Sequence, residues 1–175
     1  MLTVGKRAIP YALIRVADRN PVNLLDVLPS DGLTKIVLFA GPLVTLADKE
    51  RLERLEKDLL GVLDTFGGDR FKTIVVLSAI GEDTTYFDVP TGLRKDWTRC
   101  VVFLCITGYL HWLLIFRILV DAASPFSDES GGAYTALGVP VEGQLAVIRP
   151  DGYLGLLAGL NDLTRLDEYL KAWMI

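Results

Sequence analysis

Two cysteines, Cys100 and Cys105, one histidine, His111, and a few paired acids are the residues of this chain with chemistry to offer. A disulfide-exchange enzyme holds a thiolate at the start of a helix, usually in a Cys-x-x-Cys pair, because the helix N-terminus lowers the thiol pKa. Cys100 and Cys105 have four residues between them and do not form that pair. Two cysteines make neither a disulfide framework nor a zinc set, and one histidine without clustered thiols gives a metal little to bind. His111 lies in an apolar run, where a histidine satisfied by its surroundings is a plainer reading than a general base. Glu82-Asp83 and Asp128-Glu129 are adjacent acids in expected loops, solvated and without a partner for acid–base work. Neither G-x-G-x-x-G nor G-x-x-x-x-G-K-[ST] occurs, so no known loop for a dinucleotide or triphosphate is present. Arg149 reads as the decoration of a strand end rather than an anion ligand, and Asp151 as part of a turn. The residues alone therefore nominate no catalytic, cofactor-binding or metal-binding position.

Composition narrows the partners. The chain has 175 residues, enough for one domain with a real core. Half of it (51%) is hydrophobic and its mean hydropathy is +0.37, high for a soluble protein. A net charge of −4 and a pI near 5.0 leave no basic stripe to neutralise phosphates, which argues against nucleic acid. Lys6-Arg7 and Arg94-Lys95 are isolated pairs and read as solvated. The first residues are too short and too soon polar for a secretory signal, so the expected compartment is the cytoplasm, with reduced thiols.

The elements that must carry these residues are legible in order. Residues 1–33 contain Gly5, Pro10, Pro21, Pro29 and Gly32, which predicts an extended lead-in with turns. Thr34 to Ala40 has the β-branched character of a buried central strand, closed by Gly41-Pro42. Thr45-Leu46-Ala47-Asp48 resembles a capping box with Asp in place of the usual Glu or Gln. Leu52, Leu55, Leu59, Leu63 and Phe66 then line one helical face, and Gly67-Gly68 stops the helix. Phe71 to Ser78 is a second central strand, and 81–95 a loop with a short helical turn. Ser130 to Leu137 is a short helix ending at Gly138. Gln144 to Arg149, Pro150-Asp151-Gly152 and Tyr153 to Leu157 form a β-hairpin. Asn161-Asp162 starts a last helix, with an acid in its first turn and an apolar face of Leu163, Leu166, Leu170 and Trp173. Strand, helix, strand, crossover, hairpin and helix predict an α/β fold of thioredoxin-like type in one domain over 1–175. Its sheet is mixed, of four to five strands, with helices on both faces.

One stretch does not fit. Val101 to Val120 is long enough to cross a hydrocarbon core and apolar apart from Thr107, His111 and Arg117. Three readings compete. A membrane span would put two halves of one sheet on opposite sides of a bilayer, and buries His111 and Arg117 at a cost. A buried or partner-facing helix inserted in the domain offers a hydrophobic contact surface. A retained intron, spanning about 100–127, suits a run that begins with valine codons and interrupts a pattern that closes well without it. Joining Trp97-Thr98-Arg99 to Asp128-Glu129-Ser130 restores an ordinary connection.

Specific words remain: Gly5-Lys6-Arg7 with Pro10, Arg15-Val16-Ala17-Asp18 with Pro21, and Leu28-Pro29-Ser30-Asp31-Gly32 before Lys35 to Gly41. Gly132-Ala133-Tyr134, Leu137-Gly138-Val139 and Val147-Ile148-Arg149-Pro150-Asp151-Gly152-Tyr153-Leu154-Gly155 follow. Together they resemble the C-terminal, thioredoxin-like dimerisation domain of the phenol hydroxylase family of FAD-dependent aromatic monooxygenases. The resemblance spans nearly the whole chain except about 100–127, and the Arg-Pro-Asp-Gly-Tyr turn is its most specific piece. It implies a homodimer contact, or contact with the rest of a flavin monooxygenase, with FAD and NADPH held by preceding domains. Two other classes stay open beside it. One is a thioredoxin- or peroxiredoxin-like oxidoreductase, against which the missing helix-start cysteine counts. The other is a domain anchored in a membrane through 101–120.

Overall fold

The computed structural model describes residues 1–15, 21–80, 85–93, 100–102, 132–140 and 142–174. Its strands are β1 (Ala12–Arg15), β2 (Pro21–Asn23), β3 (Thr34–Leu43), β4 (Phe71–Ile80), β5 (Cys100–Val102), β6 (Gln144–Ile148) and β7 (Leu154–Gly159). Helices α1 (Leu46–Asp64), α2 (Gly132–Leu137) and α3 (Leu163–Trp173) are joined by single 3-10 turns at Leu24–Val27, Gly68–Arg70 and Tyr86–Asp88.

All seven strands share one sheet in the order β2-β1-β5-β4-β3-β6-β7. The expected four-strand motif is its right half: β3 and β4 run parallel through α1, and β6 and β7 return as an antiparallel hairpin beside β3. The sheet is wider than the four to five strands expected from the sequence. The extra strands are three or four residues long, too short to show a period of two, and the prolines of the lead-in masked two of them. β5 takes up Cys100–Val102, where the unusual apolar stretch begins, and joins β4 in parallel to β1 antiparallel. From 103 to 131 the run lies outside the described residues.

Both faces of β3 and β4 are buried, which is why these strands read as unbroken apolar runs. Ile36, Leu38, Ala40 and Leu43 pack with Val75, Leu77, Leu145 and Val147 beneath α1 (Leu52, Leu55, Leu59, Leu63) and α3 (Leu166, Leu170). Val37, Phe39, Ile74, Val76, Ala146 and Ile148 point the other way. They are covered by Leu2, Leu24, Val27 and the Tyr134–Leu137 side of α2. On α3 the expected apolar face narrows: Leu166 and Leu170 are fully buried, but Trp173 is 40% exposed and lies edge-on to Tyr169. Asp162 is itself the N-cap, accepting from Arg165 N at 3.3 Å, rather than an acid in the first turn.

The strand at Thr34 does not close at Gly41-Pro42 as its composition suggested. The pairing with β4 slips at Gly41, whose φ is +75°, and β3 resumes to Leu43. The hairpin turn forms as read. Gly152 N–H donates to Arg149 O at 2.9 Å, Arg149 N–H to Tyr153 O at 2.9 Å, and Gly152 takes φ +82°.

Lys35 is the one lysine buried in this sheet among the described residues, 3% exposed. Its ammonium donates to the Asp31 carboxylate and to Leu33 O at 2.9 Å, and Lys72 takes the second Asp31 oxygen. These two ammonium groups hold the Asp31 carboxyl far below the usual carboxylate range. Asp31→Asn should therefore lower stability by about 2 kcal/mol at pH 7, since a buried ammonium loses its charged partner. A depressed folded pKa gives stability that is fully present above the unfolded pKa near 3.8 and lost as pH falls toward the folded value. Urea unfolding should show the gap between wild type and Asp31→Asn constant from pH 7 to about 5 and narrowing below about pH 4. A gap independent of pH throughout would contradict this assignment.

Candidate functional site

In a thioredoxin-like sheet the reactive position follows the first central strand, at the N-terminus of the helix that comes next. Here that junction is Pro42-Leu43-Val44-Thr45, without a thiol. The start of the helix is capped from within. Asp48 Oδ2 accepts from Val44 N at 3.1 Å, Thr45 N at 2.9 Å and Thr45 Oγ1 at 2.9 Å, while Asp48 N–H donates to Thr45 Oγ1 at 3.2 Å. This is the reciprocal capping box foreseen from the sequence. Burial opposes ionisation of Asp48, but the Thr45 N–H and hydroxyl, the Val44 N–H and the Arg51 charge outweigh it and keep its pKa below the ordinary value.

Two side chains lock the bulge that precedes the helix. Arg51 Nη2 donates to Ala40 O at 2.8 Å and Pro42 O at 3.1 Å. Tyr134 reaches across from α2: its hydroxyl accepts from Gly41 N at 2.9 Å and donates to Val76 O at 2.9 Å. Its ring stands edge-on to Phe39, with centroids 5.7 Å apart. Burial pushes the Tyr134 hydroxyl pKa well above 10. Sequence reasoning missed both residues. The available signal was the Gly132-Ala133-Tyr134 word, since a tyrosine buried on a short helix needs a partner for its hydroxyl.

The same junction offers no fit to FAD. A helix start that binds a pyrophosphate keeps its N–H groups free and lets backbone approach through glycines. Here the Asp48 carboxylate, held by the Val44 and Thr45 N–H groups, already sits at the helix start, and a second anion would meet its charge. Of the other residues considered from the sequence, Cys100 lies on β5, while Cys105, His111, Glu82-Asp83, Arg94-Lys95 and Asp128-Glu129 lie outside the described residues. No group of three or more His, Cys, Asp or Glu is arranged to hold a metal among the described residues. Among them, too, no helix is long and apolar enough to cross a membrane.

What this end of the domain does present is apolar surface. Val44 (53%), Leu46 (72%) and Phe87 (77%) are exposed. Val44 and Leu46 flank the start of α1, and the segment carrying Phe87 is tied to α1 by Lys49 on Asp88 and by Gly92 N–H on Glu56. That cross-link places a third large apolar side chain near the end where catalytic members of such a fold keep their thiols.

The family described as phenol hydroxylase, C-terminal dimerisation domain, matches residues 1–175. This chain belongs to that family. Among curated relatives, phenol 2-monooxygenase fsqG of Aspergillus fumigatus is 24% identical over 169 residues, covering 96% of this chain and 26% of the relative. FAD-dependent monooxygenase terD of Aspergillus terreus is 23% identical over 183 residues, covering 99% and 28%. The dimerisation-domain chain thus spans about a quarter of the length of these curated relatives. Solved structures share the fold. Peroxidoxin BcpB from Mycobacterium tuberculosis superposes with a TM-score of 0.52 at 13% identity, covering 99% of each chain. A thiol:disulfide interchange protein DsbE from Chlorobium tepidum gives 0.51 at 15%, covering 100% of each.

Tyr134→Phe tests the lock on the bulge. It leaves the Gly41 N–H and Val76 C=O without their hydroxyl partner, so a loss of about 1–3 kcal/mol is expected in denaturant unfolding. Amide exchange at Gly41 should accelerate with it.

Proposed function

We propose that this chain is a contact module of a flavin-dependent aromatic monooxygenase, pairing with a second copy of itself. The observation that carries the reading is the match of the dimerisation-domain family over all 175 residues, where the monooxygenase relatives, one of them FAD-dependent by name, are about four times as long. On this reading FAD and NADPH belong to the rest of the enzyme, and the module supplies association rather than chemistry. The capped α1 start supports it: the Asp48 carboxylate, bonded to the Val44 and Thr45 N–H groups, already puts a negative charge where a thiolate or a phosphate would need a positive one. Val44, Leu46 and Phe87 are the surface we assign to the contact, because large apolar side chains grouped at one end of a domain mark interfaces.

Sedimentation velocity and light scattering of the purified chain test this reading. A dimer with a dissociation constant in the micromolar range or tighter is expected, weakened at least about tenfold by Leu46→Glu or Phe87→Glu. Circular dichroism should not change, since both side chains are exposed. A chain that stays monomeric at about 100 μM overturns the self-association, and a dimer indifferent to both changes moves the contact to another face.

A further inference from the structure

We propose that the end of the sheet opposite the α1 start holds a binding site for a small organic carboxylate with an apolar body. It is separate from the contact reading above. A cavity of about 300 Å³ opens between the N-terminal segment, the loop after Leu28 and the Arg149–Gly152 turn. That volume is at the small end of ligand sites. Its lining pairs cations with apolar wall: Arg7, Lys35 and Arg149 beside Leu25, Leu28 and Ile148.

The charges do not cancel. Three cationic lining side chains, Arg7, Lys35 and Arg149, stand against one lining carboxylate, Asp151, in a chain whose net charge is −4. Asp31, outside the lining, joins Lys35 to a further cation, Lys72. Asp31 is shared by two ammonium groups, and Asp151 takes Arg149 and the Tyr153 N–H at 3.1 Å. Arg7 pairs with no carboxylate among the described residues; its guanidinium lies 5.3 Å from the Tyr153 ring centroid. A ring face neutralises less of a cation than a carboxylate does, and the guanidinium N–H edge stays available.

The backbone pre-sets this arrangement. Arg7 bridges Tyr153 antiparallel, Ala8 N–H donates to Gly152 O at 3.1 Å, and Arg149 N–H donates to Tyr153 O at 2.9 Å. The Pro-Asp-Gly turn therefore fixes two arginines that are 142 residues apart in the chain to one residue, Tyr153. A planar carboxylate matches a guanidinium edge, and Leu25, 42% exposed, offers apolar area to the body behind it. Read from sequence alone, Arg7 and Arg149 were surface decoration; the fold makes them neighbours.

Titration with hexanoate, followed by amide chemical shifts at constant ionic strength, tests the site, with 1-hexanol as the uncharged counterpart. Saturable hexanoate shifts are expected at the cavity residues, with 1-hexanol at least about tenfold weaker. Arg7→Gln, at a position whose side chain holds no ion pair among the described residues, should weaken hexanoate about fivefold or more, with changes in the ligand-free spectrum confined to the surroundings of Tyr153. Leu25→Asn should weaken hexanoate but not acetate. No saturation by about 10 mM hexanoate, equal binding of 1-hexanol, or an Arg7→Gln titration equal to wild type would each overturn the proposal.

Discussion

Everything in this domain depends on burying β3 and β4 on both faces. A parallel pair with apolar side chains above and below cannot stand at a surface, so it needs cover twice over. α1 and α3 supply one layer. The other is assembled from pieces that are individually weak: the N-terminal segment, a single 3-10 turn and the six-residue α2. Met1 and Leu2 bond to Ala136 and Leu137 carbonyls, and Gly5, Lys6 and Ala8 bond along the start of β7. A helix of six residues has no stability of its own. It persists because Tyr134 anchors it to Gly41 and Val76 in the middle of the sheet.

That anchor explains the local chemistry of the β3–α1 junction. The register slips on both sides of Gly41, with Ala40 skipped, and backbone groups around such an irregularity need partners outside the regular ladder. The Tyr134 hydroxyl provides one for Gly41, Arg51 holds the carbonyls on either side, and Asp48 closes the helix start. A junction tied at so many points, with a carboxylate already at its helix start, is ordered and repels a second anion. Thiol enzymes of similar fold need the reverse, a helix start whose dipole remains available to stabilise a sulfur anion.

Legibility from sequence followed element length and locality. Ten-residue strands, a nineteen-residue helix and a hairpin with a Pro-Asp-Gly turn announce themselves through runs and periods. The Thr45–Asp48 box was readable because its partners are three residues apart. β1, β2 and β5 were not, since three or four residues carry no period and their pairing partners are distant. Gly41-Pro42 looked like a strand end because glycine and proline usually punctuate; only the register with β4 shows a bulge. Lys35, inside a β-branched strand, was a signal the sequence reading did not use. A lysine there demands a carboxylate, and Asp31 lies four residues before it.

The two ends of the sheet therefore have different physical characters. At the C-terminal end of β3, polar groups are consumed internally and the surface left over is apolar: Val44, Leu46 and Phe87. At its N-terminal end, a turn that must bring Tyr153 beside Arg7 gathers more positive charge than the nearby carboxylates remove. The fold explains the contrast. Parallel strands send their C-terminal ends into helix starts, where capping absorbs charge, whereas the N-terminal end of β3 is finished by a hairpin turn and an extended arm. Solved structures at 13% and 15% identity share this fold, so the fold itself needs few particular residues. A shared scaffold leaves open how its ends are closed, and function is set at such sites rather than in the core.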